Sequence, residues 1–83
     1  MIFNAYTFPR LDDFEELIVF LKMYSDEHAD FEFTNSMPVA MNDNTYGFIW
    51  PVIEGEDDKY AEVLSKYGTP ITVTDQDFVR EID

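Results

Sequence analysis

Apolar and polar residues alternate from Ile2 to Phe8 (IFNAYTF), and Pro9 closes the run, which predicts a strand. From Leu11 to His28 the period becomes that of a helix. At about 100° per residue, Phe14, Leu17, Ile18, Leu21, Tyr24 and Ser25 share one sector. The opposite sector holds Asp12, Glu15, Glu16, Asp26 and Glu27, with Lys22 as the one cation of the segment. Val19 and Met23 break the pattern, because they land among the acids rather than over the core. Asp12 or Asp13 is expected to cap the first turn, with Glu15 and Glu16 near the positive end of the helix dipole.

Alternation returns briefly in Asp30 to Thr34 (DFEFT), a second short strand with Phe31 and Phe33 on one side. Asn42-Asp43-Asn44 has strong turn chemistry, since these side chains bond their own backbone and tolerate left-handed geometry. Val39 to Met41 extends a strand up to that turn. Tyr46 to Ile53 (YGFIWPVI) is the most strand-like run, and Pro51, which cannot donate to a ladder, suggests an edge or a bulge. Glu56-Asp57-Asp58 opens a second helix through about Tyr67, carried by Tyr60, Val63, Leu64 and Tyr67 and stopped by Gly68. Thr69 to Val73 (TPITV) reads as another strand. Thr74-Asp75-Gln76-Asp77 resembles a capping box leading into a last short helix with Phe78, Val79 and Ile82.

The order predicts a single α+β domain over residues 1–83: an antiparallel sheet with two main helices on one face, β-α-β-β-α-β plus a short C-terminal helix. This is the split βαβ pattern of ferredoxin-like folds, a layout that hosts many functions and so names none.

Composition sharpens the picture chiefly through charge. In 83 residues, 46% hydrophobic and 17% aromatic, there is ample material for one packed core and none for two. The absence of cysteine removes disulfides and thiolate metal sites and suits a reducing cytoplasm. No 18-residue apolar run or basic-then-apolar leader is present, so neither a membrane span nor a signal peptide is expected. Eighteen Asp and Glu face five Lys and Arg, a formal net charge of −13. That balance excludes direct binding to nucleic acid or to an anionic membrane and favours a cationic partner.

Candidate chemistry is sparse. His28, the single histidine, could serve as a general acid or base, but the ordinary reading is a capping cation at a helix C-terminus. No GxSxG elbow, no cysteine and no second histidine exists to complete a triad, so no enzyme is expected. The oxygen-rich stretches 41–47 and 54–58 lack the ligand spacing of a calcium loop, so no dedicated metal site is expected, only weak adventitious calcium binding. The three glycines are widely spaced and form no phosphate cradle, so no cofactor is expected.

The acids themselves need weighing. Asp12, Asp13, Glu15 and Glu16 lead helix one, Glu56, Asp57 and Asp58 lead helix two, and Asp75 and Asp77 lead the expected last helix. Each then has a structural explanation worth about 0.3–1 kcal/mol. Asp26, Glu27, Asp30, Glu32, Asp43, Glu54, Glu62, Glu81 and Asp83 have none. Carboxylates three or four residues apart on a helix sit about 5–6 Å from one another, comparable with phosphates along one DNA strand. The acids expected to act this way are Asp12, Glu15, Glu16, Asp26, Glu27, Asp30, Glu32, Glu54, Glu56, Asp57, Asp58 and Glu62. They would occupy the DNA-binding site of a basic nucleic-acid-binding protein, through steered and salt-sensitive binding. The competing reading is a well-solvated acidic surface. A second signal is apolar: Val19, Phe20, Met23 and Trp50, with Phe48, are candidates for an exposed patch. That patch would form a homodimer interface, or would make the protein an interaction module that binds through the patch instead of its charge.

In size, acidity, aromatic richness and its acid-led helices (LDDFEELIVFLKMY and EDDKYAEVLSKYG), the chain resembles the Arn anti-restriction proteins of T-even bacteriophages. The resemblance implies a phage-encoded dimeric DNA mimic that blocks a restriction enzyme of the McrBC type and has no catalytic residues. Other DNA mimics share the composition, including inhibitors of CRISPR effectors, nucleoid proteins and uracil glycosylase.

Overall fold

Alternation in the first strand, β1 (Ile2–Phe8), sets the two sides of the molecule. Phe3 and Ala5 are buried on one face, and Tyr6 is buried on the other. The computed structural model describes residues 2–29 and 36–82; the expected strand Asp30 to Thr34 lies outside them. Helix α1 (Leu11–Glu27) follows, burying Phe14, Leu17 and Leu21. Neither Asp12 nor Asp13 is its cap. Arg10 takes the N-cap position without a side-chain bond, and both acids lie in the first turn, where they interact with the dipole alone.

Strands β2 (Met37–Met41) and β3 (Tyr46–Pro51) form a hairpin across the expected Asn-Asp-Asn turn. Asn44 takes the left-handed conformation (φ 67°), and Met41 N–H donates to the Thr45 carbonyl at 2.9 Å. Pro51 is neither on an edge strand nor at a bulge. It ends the central strand, opposite Phe3, where the ladder stops needing its donor.

The second helix is shorter than its periodicity predicts. Only Lys59–Val63 is α-helical (α2), with Asp58 as N-cap; a single 3₁₀ turn, Ser65–Tyr67, follows before Gly68 (φ 92°) stops it. Glu56 and Asp57 therefore precede the helix instead of opening it. β4 (Ile71–Thr74) comes next, and the expected last helix is instead a strand, β5 (Phe78–Glu81). The capping-box residues make a tight turn. The Asp77 carboxylate accepts from Thr74 N–H at 2.7 Å, and Asp77 N–H returns a bond to the Thr74 carbonyl at 3.0 Å. The side chain that would cap a helix backward caps a turn, and Val79, in the sequence that follows, is β-branched and suited to a strand.

All strand pairs are antiparallel, in the order β4-β1-β3-β2-β5. The first four positions reproduce the split βαβ order, and β5 is an added edge. One face carries the helices, where Tyr6, Phe48 and Trp50 pack against Phe14, Leu17, Leu21, Tyr60 and Leu64.

The other face is closed by curvature. β4 ends beside Ile2 and β5 begins beside Met41, at opposite edges and opposite ends of the sheet. Laid flat, the two edges would stand about 19 Å apart, yet the link from Thr74 to Phe78 reaches only about 14 Å. The sheet must therefore coil, and it does. The rings of Phe3 and Phe78, three strands apart in the order, meet edge to face at 5.8 Å between centroids. Asn42 N–H reaches the Asp77 carbonyl at 2.9 Å. Phe3, Ala5, Val39, Met41, Ile49 and Val73 form the second buried cluster inside that curl.

A candidate partner-binding surface

The buried Phe14, Leu17 and Leu21 fix the rotation of α1, and so fix what points away from the protein. Asp12, Glu16, Val19, Met23 and Asp26 fall within about 45° of the outward direction, and Glu15 and Glu27 flank them. All seven are exposed, Val19 at 54% and Met23 at 58%. One turn separates Val19 from Met23. Acids lie beyond each end of the pair along the helix, and Lys22 remains the one cation of α1. An exposed ion pair joins Arg10 to Asp12 at 3.8 Å and contributes little. Val19 also borders a groove of about 580 Å³ shared with Leu11, Ile18, Pro38 and Ile82.

Glu54, Glu56 and Asp57 are exposed on the link between β3 and α2, next to Val52 and Ile53, themselves about half exposed. Glu62 is exposed on α2. The structure thus sets two exposed acidic regions, one on α1 and one on the 54–57 link between β3 and α2. Asp30 and Glu32 lie outside the described residues.

Asp58 differs from every other expected acid among the described residues. It is half-buried, and its carboxylate accepts from Trp50 Nε1 at 2.8 and 2.9 Å, from Asn4 Nδ2 at 2.6 Å and from Ala61 N–H at 3.1 Å. Its lone pairs are committed to the fold, and it does not belong with the outward-facing acids. Trp50, expected on an exposed patch, is 2% exposed, as is Phe48; both belong to the core under the helices. Phe20 is half-buried against Tyr67, with Lys66 Nζ 3.9 Å from its ring centroid. Of the apolar candidates, Val19 and Met23 remain on the surface.

Structure also redistributes the acids between explained and unexplained. Glu15 and Glu16 lie beyond the first turn of α1, and Glu56 and Asp57 lie outside α2, so none of the four is a cap. Asp43 moves the other way. It accepts from Thr45 N–H at 3.1 Å and from Thr45 Oγ1 at 2.6 Å, bonds that hold its carboxyl below the ordinary value. His28 is the C-cap of α1, its Nδ1–H donating to the Tyr24 carbonyl at 3.0 Å while its ring stacks on Tyr24 at 3.9 Å. Among the described residues no group of three or more His, Asp or Glu is placed to hold a metal, and no helix is long and apolar enough to cross a membrane.

Comparison of the chain with protein-family models, curated proteins and solved structures finds no match.

Proposed function

We propose that the protein is a non-enzymatic, phage-encoded inhibitor that mimics DNA. It acts in the cytoplasm of a bacterial host by filling the DNA-binding site of a basic nucleic-acid-binding protein, and a restriction enzyme of the McrBC type is the first target to test. One observation carries the reading: among the described residues every acid except Asp58 is exposed, in a chain of net charge −13. Solvation alone is served by surfaces that intersperse both signs. Here α1 sets Asp12 about one turn, some 5–6 Å, from Glu15 and Glu16, with Asp26 and Glu27 further along the same helix, an arrangement suited to lysines and arginines that hold phosphates.

Competition tests this. The protein should displace duplex DNA from the restriction enzyme, and its affinity should fall more than tenfold between about 50 and 200 mM salt. Failure to displace DNA, or binding indifferent to salt over that range, ends the mimicry reading. The exposure of Val19 and Met23 favours a second reading, an interaction module, and its content is developed next.

A further inference from the structure

We propose that the outer face of α1 docks a basic protein surface with an apolar hollow or stripe at its centre, so that recognition joins charge to a small apolar contact. The inference rests on the mimicry reading for its acids and adds to it an element that phosphate imitation lacks. A row of phosphates presents no aliphatic side chains, yet Val19 and Met23 stand at the most outward line of the helix, both more than half exposed. Their apolar surface continues at Val19 into the groove beside Leu11 and Ile18. The acids Asp12, Glu15 and Glu16 lie on one side along the helix axis and Asp26 and Glu27 on the other. This is the anatomy of an interface core with a charged rim, and a rim of one sign selects a partner of the other.

A second copy of the chain is the wrong occupant. Face-to-face pairing of two α1 helices would bring Asp12, Glu15, Glu16, Asp26 and Glu27 of each toward the acids of the other, with only Arg10 and Lys22 per copy to offset them. A partner with lysines and arginines around an apolar centre meets both components at once.

Two synthetic helical peptides of equal positive charge serve as probes of the full chain. One carries leucine at every third and fourth position among lysines; the other has serine in place of each leucine. Fluorescence anisotropy at several salt concentrations should show the leucine peptide bound about tenfold more tightly. The double variant Val19→Ser/Met23→Ser should abolish that preference and bind the serine peptide within about twofold of the parent, with an unchanged slope of affinity against salt. Both positions are exposed, so the variant is expected to fold, and circular dichroism checks it. Equal affinity of the parent for the two peptides, or a preference that survives in the double variant, overturns the proposal. So does sedimentation showing a dimer of the parent that Val19→Ser/Met23→Ser dissociates. The charge component reads out separately: Glu16→Gln/Asp26→Asn should flatten the salt slope for both peptides. If that slope is unchanged while the leucine preference stands, the mimicry reading fails and the apolar contact remains.

Discussion

The indole N–H of Trp50 points at both carboxylate oxygens of Asp58, at 2.8 and 2.9 Å, and so ties the central strand to the first turn of α2. The same carboxylate caps that helix and holds Asn4 of β1. Asp58→Ala leaves a buried indole donor without a partner and an uncapped helix, at an expected cost of about 3 kcal/mol. Asp58→Asn keeps an acceptor for the cap and should cost about half as much. Urea unfolding followed by Trp50 fluorescence measures both. Loss below about 0.5 kcal/mol in the alanine variant would mean that the junction does not hold the helix to the sheet.

Two tyrosines that share a contact should respond oppositely to losing their hydroxyls. Tyr6 donates to the Gly68 carbonyl at 2.8 Å, so Tyr6→Phe should destabilise by about 1 kcal/mol. Tyr67, whose ring lies 6.1 Å from that of Tyr6, buries its hydroxyl without a hydrogen-bond partner among the described residues. Tyr67→Phe removes that unsatisfied group and should be neutral or stabilising by up to about 1 kcal/mol. Equilibrium unfolding of the two variants side by side decides it; equal losses would contradict the assignment.

Alkaline pH should unfold the protein cooperatively. Burial raises the pKa of Tyr6, Tyr60 and Tyr67 above 10.0, helped by Asp58 at Tyr6 and by Glu16 at Tyr67, and opposed at Tyr60 by the bond to Ser36. The folded state holds these phenol protons more tightly than the unfolded chain. Their contribution to stability is therefore fully present below pH 10 and is lost as pH rises from there through the raised values. Phenolate absorbance and far-UV circular dichroism should change together above pH 10. Phenolate formation by all five tyrosines with the helical signal intact would show that these rings ionise without unfolding.

Gly47 is fixed by packing. A Cβ at this position would lie 2.8 Å from Met41 Sδ and 3.3 Å from Val39 Cγ2, inside the curl of the sheet. Met41 is flexible enough to yield in part, so Gly47→Ala should cost about 1–2 kcal/mol and Gly47→Val clearly more. Thermal unfolding that ranks the two variants in the reverse order would show that the site has room.

Neutralising the outward acids should leave the fold intact. Glu15→Gln/Glu16→Gln lies beyond the first turn of α1, on exposed positions, and relieves like-charge repulsion. The melting temperature is expected to stay the same or rise by a few degrees, most visibly at low salt. A fall of similar size would mean that these acids serve stability.

The periodicities that were long and regular proved legible. Helix α1 lies within one residue of its expected span because it buries one clean face, and strand β1, closed by Pro9, matches its own although it buries residues on both faces. Gly68 and the Asn42–Asn44 turn were readable for a local reason, the left-handed backbone they supply. What the chain concealed depended on partners distant in sequence. Thr74–Asp77 has the letters of a capping box, and only the proximity of Met41 and Asn42 makes the following residues a strand. Trp50 sits in a run whose alternation is blurred, since 47–50 are all buried, so no face of β3 reads as outward. Asp58 resembled its neighbours Glu56 and Asp57 until the indole, 8 residues back, was seen to claim it. Val19 and Met23, by contrast, were visible from helical phase alone, because exposure on a helix follows directly from the angle to its buried stripe.

The placement of β4 and β5 on opposite edges has a consequence for how the chain is made. During synthesis β1, β3 and β2 emerge first, and until residues 71–81 leave the ribosome neither edge of that three-stranded centre has its neighbour. Phe3, Val39 and Ile49 face solvent for the same interval, since the curl that buries them is drawn shut by the link from Thr74 to Phe78. The nascent protein therefore carries two open strand edges and an uncovered apolar face until residues 71–81 arrive, and that one short segment closes all three.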